Sequence, residues 1–586
     1  MVPGLLLVLG LLAIVSTTYA SDPVVKLYNG GLTVTGRRFQ FRAKDTDFEV
    51  DAYLGIPYAE PPVGPLRFKP PVPMELKGEF NAKEYGKICP QPMMPEVFPF
   101  LKAEQVDEDC LILNVHVPVS KPSNAAVMVH IHGGGYMIGA GTMEDFDFYP
   151  MSALGEVIII VSFNYRLGTL GFLSTADEVL PGNLGMFDQV QALKWVQKNI
   201  AVFGGDPDRV TIFGISAGGS SSSLHTLSPL SKGLFARAIM QSGNAAAPWA
   251  QQDDAENIRK GAFSLGKAVG CNDMNEENTK QLVDCLMDVT ADELVQAYQT
   301  VLTGGTFFSP VFDGKFFTER SKDLIQKQTF AVGNMDVLVG HTKDEGMMYI
   351  FTLYPGVIEK PHVNATFLDV ALSMTGVKLE PIQRAAMELV YFDDHVISDP
   401  DPDYFDATVK VISDYAFRCP TDTYLRAASE AGLGSVYAYE FNFHPSKSLF
   451  NTPWSGACHG DDGTFMGAHF MPNDFILTDV EVDMTLKLIM YWSNFAKTGN
   501  PNIGNENEEA STPAAKLLEW PQYTVESRMF KELSPSMRNI PDPSGIACRL
   551  WNDYLPKLDA ALADKEGCTP HWTKGGKESC SEESEP

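Results

Sequence analysis

Basic residues are scarce in this chain of 586 residues. Lys and Arg number 45 against 74 Asp and Glu, which gives a formal net charge of −29. A protein that binds nucleic acid needs a basic face to neutralise phosphates. The charge therefore argues against nucleic acid as a partner. It also repels anionic molecules at long range and keeps copies of the chain apart.

Long apolar runs are absent after the first twenty residues, so we expect no membrane span in the rest of the chain. The run at residues 5–15 is followed by Thr18-Tyr19-Ala20, a small-x-small cleavage site. We expect residues 1–20 to be a signal peptide cut after Ala20; an uncleaved anchor is the alternative, although the run is short for a span. The acidic C-terminus carries neither a GPI signal nor a retention tetrapeptide, so we expect secretion.

Internal repeats and dividing linkers are also absent. We expect residues 21–558 to form one domain with long insertions, followed by an acidic tail at 559–586. Near-continuous β-branched and apolar runs at 127–131, 157–161 and 210–213 are typical of parallel strands covered on both faces. A helical pattern from Phe187 to Ile200 separates the last two runs. This order predicts a doubly wound α/β fold, with a mostly parallel central sheet flanked by helices.

A serine flanked by glycines follows the third of these runs, in Gly214-Ile215-Ser216-Ala217-Gly218. This is the nucleophile-elbow pattern, a sharp strand-to-helix turn in which a Cβ two residues either side would clash. The turn exposes the serine Oγ at a helix N-terminus, where developing negative charge is favoured. Ser216 is therefore the candidate nucleophile.

A glycine-rich loop, His132-Gly133-Gly134-Gly135, follows the first run. Glycines there allow backbone N–H groups to approach a ligand closely and to point at one position. Together with the N–H of Ala217, they would form an oxyanion hole.

An acid and a base follow the serine in the order that such hydrolases use, Ser, then Asp or Glu, then His. Glu345 and His459 fit this order, each on a loop after a predicted strand. Spacing alone leaves Asp344 open as the acid, and His444 or His469 open as the base. A histidine in this role takes the serine proton and returns it to the leaving alcohol.

The chain resembles the type-B carboxylesterase and cholinesterase family in ordered motifs over about residues 24–558. The matching segments are Gly55-Ile56-Pro57-Tyr58-Ala59-Glu60-Pro61-Pro62, Glu108-Asp109-Cys110-Leu111, Phe163-Asn164-Tyr165-Arg166-Leu167-Gly168, Phe203-Gly204-Gly205-Asp206-Pro207, the Ser216 elbow, Lys343-Asp344-Glu345-Gly346, Gly456-Ala457-Cys458-His459-Gly460 and Trp551-Asn552-Asp553-Tyr554-Leu555-Pro556.

The resemblance implies an α/β-hydrolase fold and a carboxylic ester hydrolase that works through an acyl-enzyme. It maps the triad onto Ser216, Glu345 and His459, and the oxyanion donors onto Gly134, Gly135 and Ala217. No cofactor and no metal ion are expected. Some family members are adhesion or storage proteins that have lost the triad, and a catalytically inactive relative of that kind is an alternative.

Nine cysteines suit an oxidising compartment, and their odd number leaves at least one unpaired. The resemblance implies the disulfides Cys89–Cys110, Cys271–Cys285 and Cys419–Cys548. Cys568 and Cys580, in the tail, pair with each other or with another chain, and Cys458 is left as an inert buried thiol. Asn364-Ala365-Thr366 is a glycosylation sequon, to be used only if Asn364 is exposed.

The departures from cholinesterases bear on the substrate. Those enzymes bind a quaternary ammonium on a tryptophan in the first disulfide loop and carry a glutamate before the nucleophile. Here the loop 90–109 contains Phe98 and Phe100 but no tryptophan, and Ile215 precedes Ser216. Choline esters are therefore not expected.

By resemblance, Trp249 and Phe308 line an apolar acyl pocket, although core packing is an alternative role for both. We expect a small, neutral, hydrophobic ester as the substrate. A terpenoid hormone or pheromone ester is an alternative, since juvenile-hormone esterases resemble this chain, but those enzymes typically carry glutamine in place of Ile215. The oligomeric state stays open.

Overall fold

The structure is a computed structural model. It describes residues 22–579, except 29–30, 44–45, 94–101, 121–122, 142–148, 155–157, 273–274, 276–277, 304, 378, 394–395, 397–398, 447, 449, 451, 467–477, 505–516, 566–570 and 573–577. The expected signal peptide, Cys568, Cys580, Phe98, Phe100 and His469 lie outside the described residues.

An 11-stranded sheet forms the centre of the molecule. In spatial order its strands are Asn539–Pro541, Met529–Leu533, Val436–Phe441, Asp336–Thr342, Arg237–Gln241, Gly205–Ile215, Ala125–Ile131, Ile158–Phe163, Ile112–Pro118, Thr46–Pro57 and Arg37–Ala43. The strands from Met529–Leu533 to Ile158–Phe163 are mutually parallel, and the outer strands pair antiparallel. The expected α/β-hydrolase architecture, with a mostly parallel sheet flanked by helices, is confirmed.

Both faces of the sheet are covered, because successive side chains of one strand enter different apolar clusters. Val127 and Val129 belong to the larger cluster, whereas Met128, between them, belongs to the second. Helix Leu184–Asn199 packs Val190 and Leu193 into the larger cluster. Helix Asp479–Thr498 covers the other face through residues such as Trp492 and Phe495. The near-continuous apolar runs of the sequence thus arise from strands buried on two sides.

The remaining helices lie in the connections between strands. They are Tyr149–Leu154, Gly168–Phe172, Ala217–Leu227, Ala255–Ala268, Thr279–Met287, Ala291–Thr303, Ser321–Gln326, Met347–Leu353, Ala365–Met374, Pro381–Tyr391, Phe405–Ser413, Cys419–Glu430, Asp461–Thr464, Gly545–Arg549 and Leu555–Lys565. Asp414–Arg418 and Leu550–Tyr554 are π-helical turns, and Gly64–Leu66, Ala103–Gln105, Ile200–Phe203 and Pro229–Ser231 are 3-10 turns.

Two smaller sheets accompany the central one. Val24–Leu27, Leu32–Thr35 and Gly78–Asn81 form the first, whose opening pair is the antiparallel hairpin at the start of the chain. His571–Trp572 pairs with Glu578–Ser579 in the C-terminal tail. No helix among the described residues is long and apolar enough to cross a membrane.

Three disulfides join the cysteine pairs that the resemblance implies. Cys89–Cys110 and Cys271–Cys285 span 21 and 14 positions of sequence, and Cys419–Cys548 spans 129. Closing a loop of about 15 residues stabilises a fold by roughly 3 kcal/mol through the entropy of the unfolded chain. Cys458 is a buried free thiol. Burial raises the pKa of this thiol well above its usual value, so it stays protonated and unreactive.

Candidate active site

Ser216 stands at the junction of strand Gly205–Ile215 and helix Ala217–Leu227. Its backbone has φ 60° and ψ −124°, a conformation that a residue with a side chain rarely adopts and that costs roughly 1–3 kcal/mol. The Ser216 N–H donates to the carbonyl of Gln241 over 2.8 Å, which helps to hold the strained turn in place.

The two glycines of the elbow have no room for a side chain. A Cβ on Gly214 would lie 2.3 Å from the carbonyl oxygen of Ile131, and one on Gly218 would lie 2.0 Å from the same atom. The neighbouring strand Ala125–Ile131 therefore passes directly against the turn. The spacing of glycines around Ser216 follows from this close backbone contact.

The glycine-rich loop lies against Ser216. A Cβ on Gly133 would approach the Cβ of Ser216 to 3.2 Å, while Gly134 and Gly135 adopt positive φ angles of 102° and 62°. Among the described residues, no acceptor binds the N–H groups of Gly134, Gly135 and Ala217. Ala217 is the first residue of its helix, so its N–H has no partner within the helix. These three N–H groups can therefore donate to an acceptor from outside the described residues.

His132, at the start of the loop, is a buried neutral imidazole. Its ring stacks on Tyr165 with a centroid distance of 4.2 Å, and the Tyr165 hydroxyl donates to the His132 carbonyl over 2.9 Å. Burial lowers the pKa of His132 to about 4, so the ring carries no charge at neutral pH. His132 thus supports the backbone of the loop rather than exchanging protons.

Glu345 and His459 meet although 114 positions separate them in sequence. Glu345 follows strand Asp336–Thr342, and His459 lies on the loop that precedes helix Asp461–Thr464. The Nδ1 of His459 lies 2.5 Å from Oε2 of Glu345, and both side chains are buried. Because Nδ1–H donates to the carboxylate, Nε2 becomes the free lone pair of the ring. In the described part of the chain, Nε2 has no hydrogen-bond partner.

Glu345 is ionised at neutral pH despite its complete burial. Burial alone would raise its pKa, but electrostatic attraction to the His459 ring and hydrogen bonds from that ring and from the N–H of Thr342, which donates to Oε1 over 2.7 Å, together outweigh this effect. The pKa of Glu345 therefore lies below its usual value. An ionised carboxylate at this position would stabilise a positive charge that develops on the His459 ring.

Asp344 and His444, two of the alternatives that spacing left open, occupy other positions. The carboxylate of Asp344 accepts the N–H of Ala457 over 3.0 Å and so joins its own loop to the loop of His459. The ring of His444 contacts the carbonyl of Gly456 at 2.7 Å. Both residues shape the loop next to His459, and it is Glu345 whose carboxylate contacts the His459 ring.

An aromatic cluster borders the site on the side of Trp249. The ring of Phe417 lies 4.9 Å from that of His459 and 5.7 Å from that of Trp249. Trp249 also approaches the turn after Gln241, since a Cβ on Gly243 would lie 3.0 Å from the Trp249 ring. The same Cβ would lie 2.2 Å from the carbonyl oxygen of Ser216, so Gly243 is close to both residues. Phe417 belongs to the π-helical turn Asp414–Arg418, and no sequence signal marks it as a site residue.

Phe308 lies in the core, in contrast to its neighbour Phe307. The Phe308 side chain is 4% exposed, and its ring stacks on Tyr298 at 4.8 Å. Phe307 lies next to the glycine-rich loop, where its ring is 3.9 Å from the Cβ that Gly135 lacks. Of this aromatic pair, Phe307 faces the glycine loop, and Phe308 packs behind it.

Gln241 and Asp462 join the turn at Ser216 to the segment that follows His459. The Gln241 side chain donates to the Asp462 carboxyl over 3.0 Å, and the Tyr439 hydroxyl donates to the same oxygen over 2.5 Å. Burial raises the pKa of Asp462 above its usual value. Neither residue could be recognised from sequence, because a buried amide and a buried carboxyl carry no pattern of their own.

Ile215 packs against Gly463. The Cβ that Gly463 lacks would lie 2.2 Å from Ile215 Cδ1, so this side chain fits against the helix that follows His459. In the described residues, no group of three or more His, Cys, Asp and Glu side chains is placed to hold a metal ion.

The fold and the elbow define an α/β hydrolase, and comparison with known proteins narrows the class. The carboxylesterase family matches residues 21–551, and the chain belongs to it. The chain is 34% identical to a cholinesterase of Mus musculus over 543 residues, which cover 90% of this chain and 87% of that protein. It is 33% identical to an acetylcholinesterase of Bungarus fasciatus over 545 residues, covering 90% and 86%. The protein is thus a carboxylic ester hydrolase.

Proposed function

We propose that the protein is a serine carboxylesterase that hydrolyses neutral hydrophobic esters through an acyl-enzyme on Ser216. The observation that carries this proposal is the buried contact of 2.5 Å between His459 and Glu345, which leaves Nε2 of His459 as a proton acceptor. The strained elbow presents Ser216 beside the glycine-rich loop.

In the acylation step, Ser216 Oγ attacks the ester carbonyl while His459 Nε2 takes the hydroxyl proton. The N–H groups of Gly134, Gly135 and Ala217 stabilise the resulting oxyanion. The carbon–oxygen bond to the alcohol then breaks, and His459 returns the proton to that alcohol. Water repeats the sequence on the acyl-enzyme and releases the acid. Glu345 holds the imidazole tautomer throughout and stabilises the imidazolium.

Two features support a neutral, apolar ester rather than a choline ester. Ile215 stands before the nucleophile where cholinesterases carry a glutamate, and the loop 90–109 has no tryptophan to bind a quaternary ammonium. The rings of Trp249, Phe417 and Phe307 supply apolar surface next to Ser216, His459 and the glycine loop. The names of the two relatives describe what those proteins hydrolyse, and these residues argue for a different alcohol here.

Hydrolysis of p-nitrophenyl acetate and butyrate by the purified protein tests the activity, with Ser216→Ala as the control. We expect turnover by the unmodified protein and none above background by the variant. Equal rates for both proteins would overturn the proposal. A panel of long-chain esters, isoprenoid methyl esters and butyrylthiocholine then separates the candidate substrates. A preference for the isoprenoid esters would favour the hormone or pheromone alternative, and a preference for the choline ester would contradict the assignment to neutral esters.

We propose that Trp249 shapes the acyl pocket directly and that Phe308 acts by supporting Phe307. Trp249→Leu should raise the ratio of kcat/KM for long acyl chains to that for acetate. Phe307→Leu should change the same ratio, and Phe308→Leu should change it less while lowering Tm more, because its ring packs on Tyr298. A larger shift in chain preference from Phe308→Leu than from Phe307→Leu would contradict this arrangement.

We propose that the protein is secreted and carries a glycan on Asn364. This residue is exposed, and its Oδ1 accepts the N–H of Phe367 at the start of helix Ala365–Met374, which leaves Nδ2 for the sugar. Expression in eukaryotic cells should yield secreted protein whose mass falls on enzymatic deglycosylation. Thr366→Ala removes the sequon but keeps the Asn364 cap, so it should abolish the mass change without loss of stability. An unchanged mass of the native protein would refute the glycan, and retention inside the cell would refute secretion.

A further inference from the structure

At the far end of the oxyanion loop, the peptide groups of Gly139 are held by the side chain of Gln91. The loop turns tightly after Gly134, whose carbonyl accepts the N–H groups of Met137 and Ile138 over 3.0 Å each. The next residue, Gly139, has a φ of 110° and bonds to the side chain of Gln91 through both its N–H and its carbonyl. The N–H donates to Oε1 over 2.8 Å, and the carbonyl accepts from Nε2 over 2.9 Å.

The amide of Gln91 is itself held in one orientation. Its Nε2 also donates to the carbonyl of Cys89 over 3.0 Å, and the side chain is 4% exposed. Rotating the amide by half a turn would set donor against donor at the Gly139 N–H and acceptor against acceptor at both carbonyls. The contacts therefore define which atom is nitrogen and which is oxygen.

The first disulfide connects this contact to the body of the protein. Cys89 is bonded to Cys110, and the carbonyl of Cys110 accepts from the side chain of Asn164 over 3.1 Å. The same Asn164 accepts the N–H of Gly141 over 2.9 Å, two residues beyond Gly139. Residues 139–141 are thus bound on both sides to groups that surround the disulfide.

We propose that Gln91 is a positioning residue for the oxyanion hole, an inference that rests on the proposed function. Gln91 does not contact the ester. It fixes the peptide groups of Gly139 and thereby the direction in which the N–H groups of Gly134 and Gly135 point. The donors of an oxyanion hole are effective because they are oriented before charge develops. A loss of orientation therefore reduces the stabilisation of the transition state more than it reduces the binding of the substrate.

The test compares Gln91→Leu, Gln91→Glu and a matched control, Gln197→Leu. Gln197 also donates from its amide to two backbone carbonyls, those of Pro207 and Leu234, outside the site. The rates are expressed per active site, counted by complete titration with a fluorophosphonate. The readouts are kcat and KM for p-nitrophenyl butyrate, Tm, and the inhibition constant of a trifluoromethyl ketone, which forms an oxyanion adduct on the serine.

Removal of one oxyanion donor costs roughly 10²–10³ in kcat, so misalignment by Gln91→Leu should cost about 10–100-fold. The ketone should bind more weakly by a similar factor, with KM unchanged within about twofold. Gln91→Glu keeps an acceptor for the Gly139 N–H and should fall between Gln91→Leu and the unmodified protein. Gln197→Leu should lower Tm alone.

A kcat for Gln91→Leu within twofold of the unmodified protein, or a fall in kcat without weaker ketone binding, would overturn the inference. If Gln91→Leu does not fold, Gln91→Glu decides by the same criteria. These outcomes refute the role of Gln91 only if the unmodified protein is active and is labelled on Ser216. If the unmodified protein shows no turnover, the proposed function itself has failed.

Discussion

The side chain of Gln241 donates a hydrogen bond of 3.0 Å to the carboxyl of Asp462, and this bond links the turn at Ser216 to the segment that follows His459. Gln241 accepts the N–H of Ser216 on its own carbonyl, and Asp462 lies three positions after His459 in the following helix. The elbow and the His459 loop come from distant parts of the sequence. Their relative position is thus set by a buried polar bond as well as by the sheet.

Replacing Asp462 by Ala should lower kcat about 10–100-fold, since small misplacements of catalytic groups are costly and both Gln241 and Tyr439 lose their acceptor. Asp462→Asn keeps an acceptor oxygen and should lose less. Steady-state kinetics per titrated active site measure the effect. Equal kcat values for Asp462→Ala and the unmodified protein would contradict the role of this bond.

Replacing Glu345 by Gln should lower kcat by roughly 10³–10⁴ with little change in KM, because a neutral amide neither fixes the imidazole tautomer nor stabilises the imidazolium. Asp344→Asn is the neighbouring control. It retains an oxygen for the Ala457 N–H and should reduce kcat far less. A larger loss from Asp344→Asn than from Glu345→Gln would show that the acid has been assigned to the wrong residue.

Asp461 makes the stability depend on pH. Burial, as the largest effect, raises the pKa of its carboxyl to about 8. Between an unfolded value of about 3.9 and this folded value, the native state binds a proton that the unfolded state has released. The protonated Asp461 carboxyl therefore contributes its full stabilisation below the unfolded pKa. This stabilisation is lost as the pH rises from the unfolded pKa, about 3.9, through the folded pKa, about 8.

Urea unfolding at pH 5, 6, 7 and 8 measures this dependence, which for one proton is at most about 1.4 kcal/mol per pH unit. Asp461→Asn should flatten the slope, whereas Gln197→Leu, which removes no titratable group, should leave it unchanged. Identical slopes for Asp461→Asn and the unmodified protein would place the titration elsewhere.

Gly218→Ala should abolish activity and destabilise the fold, because its Cβ would lie 2.0 Å from the carbonyl oxygen of Ile131 in a strand that cannot move aside. Gly261→Ala is the comparison: there the nearest atom is a methyl group of Thr306 at 2.8 Å, and alanine favours the helix Ala255–Ala268. Thermal unfolding and turnover distinguish the two. A Gly218→Ala protein with normal Tm and kcat would contradict the packing of the elbow.

Features dictated by backbone geometry could be predicted from the sequence. Gly214 and Gly218 must be glycines because a Cβ at either position would clash with the carbonyl oxygen of Ile131. The apolar runs around Val129, Ile160 and Ile212 are continuous because both faces of these strands are buried. The α/β fold follows from these local signals. The choice of Glu345 over Asp344 needed the resemblance, since adjacent carboxylates on one loop have the same sequence signature.

Features that depend on the direction of a side chain could not be predicted. Phe307 and Phe308 are adjacent and identical, and only the packing on Tyr298 decides which of them enters the core. Gln91 and Asp462 act through hydrogen bonds across 48 and 221 positions of sequence. No local pattern encodes a partner at such a distance.

The most direct test of the central claim is peptide mass mapping of the intact protein after reaction with a fluorophosphonate. The account predicts one label per molecule, on Ser216, with ester hydrolysis lost in proportion to labelling and neither label nor turnover in Ser216→Ala. A label on a different serine, or hydrolysis that persists in Ser216→Ala, would contradict it.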